Sequence, residues 1–196
     1  RVGKFDSNHP PNIGETKTMK TLVIHPKDQT TDMLSLIYEG RDFTLIDDPE
    51  TSKDKIRRAI ECHDRIIMLG HGIPQGLINP KFMITRRFED LLFIDDSFAY
   101  LLGTKETISV WCYSDEYFRR HRLSGFHTGM IISEVKEARF VLGYSPLTAK
   151  ELDKNMHHFA RVIGECIDMP SQEMKNYILA NYVGDDEITR FNRSNI

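Results

Sequence analysis

Two apolar runs in this chain each end on a side chain able to do chemistry. Arg65-Ile-Ile-Met-Leu-Gly-His-Gly72 ends on an imidazole set between two glycines, and Thr107-Ile-Ser-Val-Trp-Cys112 ends on a thiol. A thiolate attacks a carbonyl carbon, and an imidazole carries protons to and from the leaving group. Glycine on both sides of His71 lets a substrate backbone come close. The backbone N–H groups of Gly72 and Cys112 fall where strands end and can point at a developing oxyanion. His71 and Cys112 are therefore candidates for base and nucleophile, with Gly72 and Cys112 as candidate oxyanion donors.

Such chemistry needs elements that bring the two side chains together. Short apolar, branched runs bounded by turn residues read as buried strands of a parallel sheet. In open α/β sheets, ligands gather at the carboxyl ends of the strands. The chain before His71 reads β-α-β-α-β: a strand at 21–25, a helix from Thr30 or Thr31 to Glu39, a strand at 42–46 and a helix from Ser52 to His63. Short connections in that order predict parallel strands with right-handed crossovers. After Gly72, Leu77-Ile78 and Phe82-Met83-Ile84 flank Asn79-Pro80 and read as a small hairpin on the sheet edge. Residues 85–94 fit no single pattern. A helix from Asp95 or Asp96 to Leu102 leads into the Cys112 strand, which puts His71 and Cys112 on neighbouring strands.

Beyond Cys112 the sequence predicts a polar, arginine-rich stretch, a strand at 127–132 and a helix from Glu134 to Phe140. Two further helices, 148–166 and 171–182, are separated by Pro170, and a polar tail from Gly184 is expected to fray. The fold class is α/β: three layers, α/β/α, with a mainly parallel central sheet, a small hairpin after the His71 strand and C-terminal helices. Residues 1–18 read as an extended arm or leader, 19–145 as the core, and 146–196 as a helical part of the same domain.

Composition narrows the function classes. The formal net charge of −3 gives no global basic field for nucleic acid. No apolar run approaches the ~20 residues of a membrane span, so neither nucleic acid nor membrane is expected as a partner. Three cysteines without CxxC spacing argue against a disulfide scaffold and for a reducing, cytoplasmic setting. Cys62-His63 has no second pair at ligand spacing, so no metal is expected.

An apolar strand ending in His-Gly, then a hairpin, a helix and a second apolar strand ending in Cys, resembles the caspase-hemoglobinase clan of cysteine peptidases. The resemblance covers about residues 20–135. It implies a caspase-like fold, His71 as general acid/base, Cys112 as nucleophile, and the Gly72 and Cys112 amides as oxyanion hole. It also implies a dyad without cofactor or metal, a peptide or protein substrate, and an acid lining a specificity pocket. Glu134, after the strand that follows Cys112, is one candidate for that acid; Asp115 and Glu116 are rivals. All three are equally explained as charges at helix N-termini, where the macrodipole favours them.

Two other function classes stand beside the peptidase. One is a non-catalytic adaptor or regulatory module of the same fold, since a cysteine at a strand end is ordinarily a small buried hydrophobe. The other is a small-molecule-binding α/β protein using the same sheet edge. Trp111, directly before the thiol, needs a burial site and a partner for its indole N–H.

Overall fold

In the computed structural model, residues 19–196 are described; the arm assigned to 1–18 lies outside them. Strand β1 (Thr21–Ile24) consists of apolar and branched residues buried throughout. A 3-10 helix follows at Asp32–Ile37, where the sequence predicted an α-helix. The Thr31 hydroxyl explains the difference: it bonds the Asp28 carbonyl and the His25 ring instead of capping. Strand β2 (Thr44–Ile46) leads to helix α1 (Lys53–Glu61), capped as expected by Ser52, whose oxygen accepts from the Lys55 N–H at 3.3 Å. Strand β3 (Arg65–Leu69) carries His71 beyond its end.

The insertion after Gly72 differs in detail from the expected hairpin. Strands β4 (Gly72–Ile73) and β5 (Gly76–Ile78) form it, and residues 82–84 are helical, in α2 (Phe82–Thr85). Pro80 has no N–H for a ladder, and the Asn79 side chain accepts from the Lys81 N–H, which starts the helical turn. Strand β6 (Leu92–Ile94), within the unassigned residues 85–94, completes a three-stranded antiparallel sheet in the order β4-β5-β6. Asp95 then caps a 3-10 turn that runs into α3 (Ala99–Leu102).

Strand β7 (Glu106–Val110) is followed at once by α4 (Ser114–His121), where the sequence suggested only a polar stretch. Strand β8 is two residues long (Phe126–His127), not six. The ladder stops because the Thr128 N–H goes to Ser114 Oγ and the Gly129 N–H to the Asn195 carbonyl. Helices α5 (Val135–Leu142), α6 (Ala149–Glu165) and α7 (Ser171–Asn181) lie where the periodicity placed them. The tail does not fray: α8 (Glu187–Ser194), capped by Asp186, buries Ile188, Thr189 and Asn192.

The central sheet has the order β2-β1-β3-β7-β8 and is parallel at every pairing. Alternation along its strands sorts side chains to two faces. Val23, Ile67, Leu69, Ile108 and Val110 pack with residues of α5 to α8. Leu22, Ile24, Ile66, Met68 and Trp111 pack with α1, α3, α4 and the small sheet. The result is a three-layer α/β/α arrangement in which the C-terminal helices share the core of the sheet. At the amino end of β3, the Arg65 side chain, 4% exposed, bridges Glu106 (3.0 Å) and Asp168 (3.2 Å). It thereby fixes β3 against β7 and the turn between α6 and α7.

Candidate active site

The central register pairs Leu69 with Val110, and the Gly70 N–H extends it by donating to the Val110 carbonyl at 3.2 Å. Gly70 has φ +142°, a conformation L side chains rarely adopt, and it frees His71 from the strand direction. At the end of β7 the chain turns into α4 through Tyr113, a non-glycine residue at φ +66°. Strained backbone of this kind concentrates at functional sites. The Tyr113 N–H donates to the Gly129 carbonyl at 3.2 Å, tying this bend to the segment after β8.

Gly72 owes its identity to a close contact. A Cβ there would lie 1.9 Å from Trp111 Cδ1, so the indole lies flush against the Gly72 backbone. Trp111 has the burial site it requires, at 2% exposure and edge-on to Tyr117 at 5.8 Å. Its N–H finds no partner among the described residues. The indole packs with α1 and α4 residues on one face of the sheet, and Trp111 also lines the cleft that holds Cys112. Gly72 faces Leu77 across β4 and β5, and the flanking bond from the Ile78 N–H to the His71 carbonyl marks this as a non-hydrogen-bonded pair. The Gly72 N–H consequently points away from its hairpin partner.

His71 is held from the β1 side. Its Nε2 lies 2.6 Å from the Thr30 hydroxyl and 3.9 Å from Glu134 Oε1. The Thr30 hydroxyl donates to Asp28 Oδ1 at 2.8 Å, as does the Thr30 N–H at 3.0 Å. A hydroxyl has one proton to give, so the ring nitrogen must be the donor in its own bond to Thr30. In the neutral imidazole that places the proton on Nε2 and leaves Nδ1 with the lone pair that could take a thiol proton.

Cys112 is less prepared. Its S–H donates to the Ile131 carbonyl at 3.4 Å. Burial, with a smaller contribution from the Glu137 carboxylate, pushes its pKa up to about 12. The thiol is therefore protonated at neutral pH. His71 and Cys112 line one cleft together with Thr30, Gly70, Trp111, Ile131 and Ser133 and the apolar Leu34, Met156 and Phe159. Its volume is about 30 Å³, room for a water or two and not for an amino-acid side chain.

The three candidate acids separate. Glu134 stands beside His71 and is the N-cap of α5, in a reciprocal capping box with Glu137. Asp115 and Glu116 lie in the first turn of α4 and are not among the residues of the cleft. Asp115 instead lines a separate cavity of about 410 Å³ with His127, Ser171, Lys175 and Asn195. They do not flank the thiol because the bend at Tyr113 carries α4 away from it. Sequence reasoning missed Thr30 and Asp28. The signal was present: they follow β1 and Pro26, at the same sheet edge as His71. The described residues hold no group of three or more His, Cys, Asp or Glu side chains placed to bind a metal ion.

No protein-family model matches the chain, and no curated protein matches it. Among solved structures it is similar to the Trp repressor binding protein from Bacillus subtilis, at 15% identity and a TM-score of 0.32, over 56% of this chain and 84% of that one. A likeness of that size says nothing about function.

Proposed function

We propose that the chain is a cysteine peptidase of caspase-like type, with Cys112 as nucleophile and His71 as proton carrier. The observation that carries this reading is the meeting of His71 and Cys112 in one cleft at the carboxyl ends of adjacent parallel strands. In the reaction, His71 Nδ1 takes the thiol proton and the thiolate attacks the peptide carbonyl carbon. The oxyanion is met by the Gly72 and Cys112 amides. The imidazolium gives its proton to the departing amine, leaving a thioester, which water hydrolyses with His71 as base. Thr30 and Asp28 orient the ring, and Glu134 stands beside it. A peptide enters only after the β1 side of the cleft (Thr30, Thr31) parts from the segment at Ile131–Ser133.

The test is cleavage of an unfolded protein substrate by the full chain, read by mass spectrometry beside Cys112→Ala and His71→Ala. Discrete cuts made by the parent and by neither variant are expected. Cuts that persist in Cys112→Ala sink the proposal.

A second reading is a non-catalytic module of the same architecture. The high thiol pKa and the small cleft favour it. It requires that Cys112 react with an electrophile no faster than the buried Cys166.

A further inference from the structure

Between β5 and β6 the chain leaves the small sheet for residues 80–90 and returns. The neck of this excursion is locked. The Asn79 N–H donates to the Leu91 carbonyl at 3.0 Å, and the Asn79 amide donates to the Pro49 carbonyl at 3.1 Å. Lys81 bridges Glu50 at 2.7 Å and Asp90 at 3.4 Å. A surface loop of this length with its ends held together is an Ω-loop, and such loops ordinarily pack their own side chains inside. This one buries little: neither α2 nor the 3-10 turn at Phe88–Asp90 holds a fully buried residue, and Phe82 is only half-buried. Ile84 and Phe88 are each 87% exposed and Met83 59%. Clusters of exposed apolar side chains on one feature mark interaction sites.

Between these apolar residues stand two arginines. Arg86 turns the tip in a left-handed conformation, φ 55°, and makes no ion pair among the described residues. Its guanidinium reaches only the Met83 sulfur, at 4.0 Å, and the Phe82 ring. Arg87 has one loose pair, to Glu89 at 3.7 Å, between side chains that are both exposed.

We propose that this loop is a membrane-contact tip, in which Met83, Ile84 and Phe88 enter the interfacial layer of an anionic lipid surface and Arg86 and Arg87 bind its headgroups. Apolar side chains flanked by cations match what a lipid interface takes from a peripheral protein. This departs from the sequence expectation of no membrane partner, which rested on the absence of a spanning run. No helix of the described residues is long and apolar enough to cross a membrane, and the loop has no need to cross.

The experiment is flotation of the full chain with vesicles of phosphatidylcholine, with and without about one-third phosphatidylserine. Binding to the anionic vesicles alone, weakened at high salt, is expected. Removing an arginine weakens binding about five-fold, from the ~1 kcal/mol that each basic residue gains near such a surface. Arg86→Ala/Arg87→Ala should therefore bind about 25-fold more weakly. Ile84→Ser/Phe88→Ser should release the protein from vesicles with an unchanged urea midpoint, since both side chains are already exposed. The proposal is overturned if the parent stays with the unfloated protein, or if both double variants float as it does. It is equally overturned if the serine variant alters only the sedimentation coefficient, which would make the tip a contact between copies.

Discussion

Gly72→Ala asks whether the glycine after His71 is there for a substrate or for Trp111. An alanine Cβ would stand 1.9, 2.4 and 2.8 Å from indole Cδ1, Cγ and Nε1, where carbon atoms ordinarily meet at ~3.5–4.0 Å. Something must move by about 1.5–2 Å. The indole has little freedom, being 2% exposed and packed edge-on against a fully buried Tyr117. The Tyr117 hydroxyl is itself tied to the Asp95 carbonyl at 2.9 Å. Repacking costs about 1–3 kcal/mol. Ejecting the indole forfeits ~200 Å² at ~25 cal/mol per Å², about 5 kcal/mol. The cheaper route decides, and so deep an overlap puts the cost toward its upper end, about 2–3 kcal/mol. The assay is urea unfolding of the full cycle: parent, Gly72→Ala, Trp111→Ala and the double variant. Trp111→Ala alone should cost about 3–5 kcal/mol. On that background the three atoms nearest the new methyl are gone, so most of its cost should disappear and the coupling should approach the single-variant cost. Equal costs on both backgrounds, within about 0.5 kcal/mol, would refute the packing argument and return Gly72 to a role toward substrate.

Three further outcomes follow from the charges. With its pKa at about 12, Cys112 is thiolate at pH 7.5 in roughly 3 molecules per 100,000, against about 1 in 10 for a free thiol. Iodoacetamide should thus label Cys112 about 3,000 times more slowly than a small thiol; labelling at the small-thiol rate would mean that the cleft opens and pairs the thiolate with His71. His25 is buried between Tyr38 Oη and Thr31 Oγ1, and burial holds its pKa below the usual value, as it does for His127. The unfolded chain takes these protons first, so stability should fall as pH drops below ~6.5, by at most ~1.4 kcal/mol per pH unit for each histidine. His25→Asn should flatten that slope in urea titrations at pH 7.5 and 5.5, and an unaltered slope would exclude His25 as its source. For Arg65 the order of costs is the test. Glu106→Gln/Asp168→Asn takes both counter-charges from a buried guanidinium that keeps only the Ile167 carbonyl, and should cost about 3–5 kcal/mol. Arg65→Met should cost less, because it leaves only acids that are 35% and 57% exposed; urea midpoints in the reverse order would contradict this.

The sheet was legible because its signal is local. Runs such as Ile66-Ile67-Met68-Leu69 are buried on both faces and carry no polar residue to confuse the period, and Ser52 and Thr148 announce their helices by capping. Long amphipathic helices such as α6 show their period over several turns. What escaped was decided by distant partners. The end of β8 is set by the Asn195 carbonyl and the Ser114 hydroxyl. The helix α8 looks polar in sequence, yet Asn192 is fully buried because its amide bonds Ile132 on both sides, from the Ile132 N–H at 2.8 Å and to the Ile132 carbonyl at 3.1 Å. At the site, His71, Cys112 and Gly72 announce themselves by residue type. Thr30 and Asp28 do not, since their part depends on a side-chain chain of bonds that spans two strands.

The same distant partners explain why the thiol rests as it does. Its acceptor is the carbonyl of Ile131, in a stretch that would have continued β8 had the ladder not broken at Thr128. That stretch is gripped on both flanks. Gly129 donates to the Asn195 carbonyl at 2.7 Å, Ile132 is paired by Asn192, and the Glu137 carboxylate accepts from the Ser133 and Glu134 N–H groups. Glu137 thus does two things at once: it caps α5 and, through space, it adds to the rise in the Cys112 pKa. The narrow cleft and the reluctant thiol therefore share one cause, the docking of α8 and the start of α5 on residues 129–134. An event that loosens that docking would widen the cleft, release the S–H from Ile131 and move a carboxylate away from the sulfur together. His71 would need no such change, because Thr30 and Asp28 already hold its proton on the nitrogen where an acid/base histidine can keep it while Nδ1 works.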